Sequence, residues 1–201
     1  MYNEIQRDND IPKTSDFGGY EGKVIKNFLH HLNDNQERAL RILAQPRQFD
    51  EALFEHLYST FFNGSPVTFS YLIIHSFVRE DGQRQGQYVI HQLMRDYLMK
   101  CFKREEQRNY TAVHRSLFEY YDKKAIVSTP KEVTAAEEVA LLEAGYHKTL
   151  YDETDFSGWL EARHKVFSDA ARYLSLEQLY GFEAEIITIR HYMESAWLRV
   201  C

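Results

Sequence analysis

"GQYVIHQLMRDYLMK", Gly86 to Lys100, sets the reading of the chain. A short apolar strand, Tyr88-Val89-Ile90, runs straight into His91, and an amphipathic helix begins at once. Ahead of it, "SFVRE" (Ser76–Glu80) has strand character, and "DGQRQGQ" (Asp81–Gln87) is a turn rich in Gly and polar residues. Two short strands around such a turn predict a β-hairpin. The histidine then stands at a strand–helix junction, where it can serve packing, metal binding or contact with another part of a larger assembly.

Working back towards the N-terminus, the pattern becomes helical. Ser65 can cap a short helix with Pro66 in its first turn and Phe69, Leu72 and Ile73 on its inner face. Before it, "FDEALF" carries Asp50 as a cap, with Phe49 and Phe54 at the two positions of a hydrophobic staple. "DNQE" offers Asp34 as a further cap, with Glu37 three residues on completing a capping box. Leu40, Leu43 and Ala44 share a face of that helix, and Pro46 ends it. Val24, Ile25, Phe28, Leu29 and Leu32 recur at helical spacing, after a polar arm of about 20 residues. Three short helices followed by a hairpin is the order of a winged-helix domain.

Towards the C-terminus every segment reads as helix. Leu93, Tyr97, Leu98, Cys101 and Phe102 form a stripe directly after the hairpin. In the next helix Asn109 is the candidate cap, and Val113, Leu117 and Tyr121 point inward. "TAAE", Thr134–Glu137, is a capping box for a helix through Leu150. Trp159, Val166 and Ala170 mark another helix, and "SLEQ", Ser175–Gln178, is a box for one towards Trp197. The expected fold class is therefore mainly α: a winged helix followed by an α-helical bundle or the start of an α-solenoid. The expected division is an arm and helix over 1–33, a winged helix over 34–104, and a helical bundle over 105–201.

Composition removes several function classes. The 201 residues are 44% hydrophobic and 14% aromatic with only four prolines, so a real core can form. The net charge of −6 argues against nucleic acid, whose binders draw affinity from neutralising phosphates. The third helix, "SPVTFSYLIIHSF", has no Lys or Arg, and its Tyr71 and His75 are weak groove readers beside arginine. Arg79 and Arg84 of the wing are opposed by Glu80 and Asp81. The two cysteines, Cys101 and Cys201, form no ligand spacing and fit a reducing cytoplasm. The polar N-terminus is no signal peptide, and no apolar run approaches the ~18 residues of a membrane span.

Catalytic and metal motifs are also missing. "GGYEGK", Gly18–Lys23, imitates a P-loop, but Phe17 stands where the first glycine belongs. Val24 replaces the hydroxyl that would hold Mg²⁺. Nine histidines include no H-E-x-x-H and no pair at i,i+4 spacing, so no metal site is expected. G-x-S-x-G is absent as well. The pairs Glu105–Glu106 and Glu137–Glu138 read as solvated helix faces. No catalytic residue is assigned, and the chain is expected not to be an enzyme by itself.

The stretch "VIHQLMRDYL" after a hairpin, preceded by "LRILAQPRQFDEALFEHL", resembles the winged-helix domain of STAND-type (NB-ARC-like) signalling NTPases. Ile90-His91-Gln92 lies where that family carries a Met-His-Asp triplet, and the similarity spans about residues 22–104. It implies that His91 contacts the β-phosphate of ADP in a closed, resting state. Gln92 departs from the family's Asp, which removes any accessory contact the acid would make. The nucleotide-binding domain itself is not in this sequence, nor is the Gly-x-Pro motif expected before the winged helix. Either the chain is a piece of a longer parent protein, which would hold ADP or ATP, or it is a stand-alone relic; no cofactor is expected in this chain itself. The implied partners are that nucleotide-binding domain and, through the tetratricopeptide-like C-terminal helices, other proteins. The alternatives are a winged-helix transcription regulator or a helical interaction scaffold.

Overall fold

The computed structural model describes residue 25, residues 27–62, 66–82, 84–125 and 133–169, and residues 178, 179, 181 and 182. It is mainly α-helical, with one two-stranded sheet among the described residues. Helix α1 spans Asp34–Leu43, α2 Glu51–Phe61 and α3 Phe69–Ile73. Strands β1 (Val78–Glu80) and β2 (Tyr88–Ile90) follow, then α4 (Gln92–Glu105) and α5 (Gln107–Lys124). Beyond them lie α6 (Ala135–Tyr151), a 3₁₀ turn at Glu153–Asp155, and α7 (Phe156–Asp169). No helix among the described residues is long and apolar enough to cross a membrane.

The helix starts follow their caps, with shifts from the sequence reading. At α1 the cap is Asn33: its side chain accepts from the Gln36 N–H, and Gln36 Oε1 accepts from the Asn33 N–H, each at 3.0 Å. Asp34 and Glu37 would satisfy the same pattern one residue later. Glu37 is instead drawn to the Arg41 guanidinium at 2.6 Å. Asp50 caps α2 as expected, accepting from Leu53 N–H at 2.8 Å. Thr68 caps α3, so that helix is only five residues long; Ser65 lies outside the described residues. At α5 the N-cap position falls at Glu106, and Asn109 lies inside the helix, donating its amide to the Glu106 carboxylate. Thr134 and Glu137 form the expected box at α6. The Ser175–Gln178 box and the helix towards Trp197 fall outside the described residues.

The hairpin is antiparallel with Val78 opposite Ile90 and Glu80 opposite Tyr88. Gly86 closes its turn at φ 77°, a left-handed conformation that glycine adopts without strain. Glu80 secures that turn by accepting from the Gly86 N–H at 2.7 Å. Phe49, ahead of α2, exchanges backbone hydrogen bonds with Tyr88, so the loop between α1 and α2 covers the outer edge of β2.

Aromatic rings fill the space between these elements. Phe49, Phe54 and Tyr88 each meet the Phe69 ring within 6.3 Å, so the expected staple residues are both in the core. In α4 the inner stripe is Met94, Leu98, Cys101 and Phe102. Leu93 departs from the expected stripe and is 40% exposed, and Met94 takes its inner place. One cluster of buried residues continues from Ile25 through α4 and α5 to Leu160 and Leu179.

Candidate functional site

His91 sits where β2 hands over to α4. Its N–H donates to the Phe77 carbonyl at 2.7 Å, extending the hairpin ladder by one bond. Its own carbonyl accepts from the Arg95 N–H at 3.0 Å, the first turn of the helix. The backbone is thus held on both sides while the side chain is exposed and makes no capping hydrogen bond. The packed reading of this histidine, with its ring between hairpin and helix, does not describe that geometry.

The surroundings leave the junction open. The first turn of α4 contains no acidic residue, so nothing there offsets the positive end of a 14-residue helix. Gln92 turns down the helix, its amide donating to Asp96 at 2.7 Å. Leu93 follows at 40% exposure, and Ile74, three residues before Phe77, is 73% exposed. An exposed imidazole, the N-terminal backbone of α4 and exposed Leu93 therefore belong to one end of the hairpin–helix unit. Chemically, that arrangement offers hydrogen-bond donors to an anion.

Arg95 fixes the junction from below. Its guanidinium donates to the carbonyls of Ala44 at 3.0 Å, Gln45 at 3.1 Å and Pro46 at 3.4 Å. Ala44 is the C-cap of α1, and Gln45 and Pro46 are the two residues that follow it, so the guanidinium ties down the turn that leaves the helix. The same guanidinium reaches the Tyr146 hydroxyl on α6 at 3.3 Å. Arg47 nearby donates to Glu143 of α6 at 2.9 Å and lies over the Tyr146 ring. Burial pushes the Glu143 carboxyl up, while Arg47 pulls it back down.

The groove-reading alternative finds little here. Helix α3 has five residues, about 7.5 Å of rise at helical pitch. His75 stacks on Phe77 and meets Tyr71 and Phe28 edge-on, so the candidate readers are packed against their neighbours. Among the described residues no group of three or more His, Cys, Asp or Glu side chains could hold a metal. A cleft of about 360 Å³ lies between the hairpin turn and α5–α6, bounded by Gln48, Arg84, Gln87, Tyr120 and Lys124.

One side-chain pair escaped the sequence reading. His114 on α5 and His147 on α6 are both 0% exposed, with Nδ1 atoms 2.9 Å apart. The signal was present: Tyr110, His114, Leu117 and Tyr121 sit at i, i+4, i+7 and i+11 on the inner face of α5. Neither histidine stands at ligand spacing in the sequence, and both serve as core residues. Compared with protein-family models, with curated proteins and with solved structures, the chain matches none of them.

Proposed function

We propose that this chain is a non-catalytic regulatory arm of a STAND-type signalling NTPase. In this reading residues 34–104 are its winged helix, and residues 105–201 begin a tetratricopeptide-like region leading to a sensor. The nucleotide, ADP at rest, is held by a separate domain of the parent protein in the cytoplasm. His91 reaches its β-phosphate when the two domains close.

The observation that carries this reading is the state of His91: backbone fixed, ring exposed and uncommitted. A fixed backbone costs little further entropy when the ring engages a ligand. The open N-terminal turn of α4 adds backbone donors and positive potential for the same phosphate. Exposed Leu93 supplies apolar contact beside the polar one. Because the ring meets phosphate only in the closed arrangement, its bond shifts the closed–open equilibrium by that differential affinity.

The test uses the full-length parent protein. A hydrogen bond to a charged group contributes about 1.5–3 kcal/mol, so His91→Ala should speed ADP release about 10- to 100-fold. The variant should also favour the open, assembling state. An unchanged ADP off-rate and unchanged assembly would remove the assignment.

A further inference from the structure

We propose that the His114–His147 pair is an acid-sensitive lock between α5 and α6, holding the two helices together only while both imidazoles are neutral. Acidification would then release α6, and the chain that follows it, from α5.

The geometry is that of a buried, half-satisfied pair. With Nδ1 atoms 2.9 Å apart, one ring donates its Nδ1–H and the other accepts. Both Nε2 atoms are buried without a partner. Aromatic rings close the site: Tyr110 lies edge-on to His114 at 4.3 Å, and Tyr121 stacks on His147 at 5.8 Å. Tyr146 meets His147 at 5.0 Å. One extra proton on the pair would place a charge in a fully buried site. Two extra protons would set two N–H donors against each other across 2.9 Å.

The neighbouring charges do not relieve this. From α4, Arg95 and Lys103 act on His114, and both are cationic. From the segment between α1 and α2, Arg47 acts on His147, as does Arg95. On α6 the Glu143 carboxylate, one turn before His147, is engaged by Arg47. Lys148 is engaged by Asp152 and Asp155. On α5, Asp122 is taken by Arg163 and the Trp159 indole from α7. Burial, followed by Arg95 and Lys103, lowers His114 to about 3, and burial, followed by His114 itself and then Arg47 and Arg95, drives His147 well below its ordinary value. The tyrosines stay neutral, with burial raising Tyr110 to about 12 and Tyr121 in the same direction.

The sign follows from linkage. Released imidazoles titrate near their ordinary value of about 6.5, whereas the packed ones stay neutral until far lower pH. Between those limits the opened state binds protons that the closed state refuses. Closure is therefore favoured above about pH 6.5 and weakens by about tenfold per pH unit for each histidine below it.

Hydrogen exchange on the full 201-residue chain measures the opening directly. Protection of α5 and α6 amides, corrected for intrinsic exchange, should fall about 100-fold between about pH 7.5 and about pH 5.5. His114→Leu/His147→Leu replaces both rings with apolar side chains and should abolish that fall. A second readout needs no substitution. In NMR spectra of the native chain, neither imidazole should titrate down to about pH 5.5. Titration of either ring near its ordinary value in the folded chain overturns the proposal. So does protection that is independent of pH, or that falls equally in the double variant.

Discussion

The guanidinium of Arg95 holds the turn that leaves α1, from its C-cap Ala44 to Pro46, while the helix's own last carbonyls are taken by the Ala44 and Gln45 N–H groups and the Gln45 side chain. It sits one turn beyond His91 and donates to three consecutive carbonyls, so its fork geometry matters as well as its charge. Arg95→Met should leave those half-buried carbonyls unpaired and cost about 2–3 kcal/mol in urea denaturation. Arg95→Lys should recover only part of that loss, because an ammonium cannot span them. A full recovery by lysine would show that charge alone matters. At this scale the sequence was legible where a residue type serves one purpose: His91 stood out because nothing in its strand or helix needed an imidazole. Arg95 did not, because its partners lie about 50 positions away and no local pattern reports them. The inner-face position of His114 is legible in its helix, but its pairing with His147 is not, since 33 residues separate two rings that meet on paired helices.

Helix starts are legible at α2 and α6, where Asp50 and Thr134 cap as expected. Helices α3 and α5 start three residues away from the expected caps, and at α1 the one-residue shift comes from competition between adjacent patterns. In "NDNQE" both Asn33 with Gln36 and Asp34 with Glu37 spell a capping box, and the sequence offers no choice between them. The ion pair of Glu37 with Arg41, itself tied to Glu105 at the end of α4, decides it from outside the helix start. Asn33→Ala should therefore cost about 1 kcal/mol, while Asp34→Ala should be nearly silent, measured by thermal or urea unfolding. Equal losses would return the cap to Asp34. On α6 the informative position is Gly145. A Cβ there would run into the side chain of Leu179 and touch the Trp159 ring, so the glycine sets how closely those segments approach α6. Alanine gains about 1 kcal/mol of helix propensity, but Leu179 is fully buried and has little room to yield. Overpacking of about 1–3 kcal/mol should outweigh the gain, so Gly145→Ala should lower the melting temperature. A raised melting temperature would mean that the Leu179 segment can move away.

The boundary drawn after residue 104 from the change of pattern is crossed by packing throughout. Phe102 meets Tyr110 over the α4–α5 junction, and His56 Nε2 is 2.9 Å from Ser116 Oγ between α2 and α5. Arg95 and Arg47 both reach α6. Local periodicity reports which face of a helix is apolar, but not which other helix covers it, so a continuous interior looks like two units in sequence. The consequence is thermodynamic. Buried residues from Leu40 to Leu160 belong to one cluster, and a cluster of that kind unfolds as one cooperative unit. Leu57 on α2 is fully buried, and Leu57→Ala should cost about 2–5 kcal/mol through lost burial and the cavity left behind. Trp159 of α7, whose indole donates to Asp122 of α5, reports on the later helices. In a Trp197→Phe background at about pH 7.5, Trp159 fluorescence and far-UV circular dichroism should show one coincident urea transition. Leu57→Ala should move both midpoints together. If the Trp159 midpoint stays in place while the helical signal splits into two steps, the α1–α4 segment and the later helices are separate folding units, and the shared core does not bind them into one.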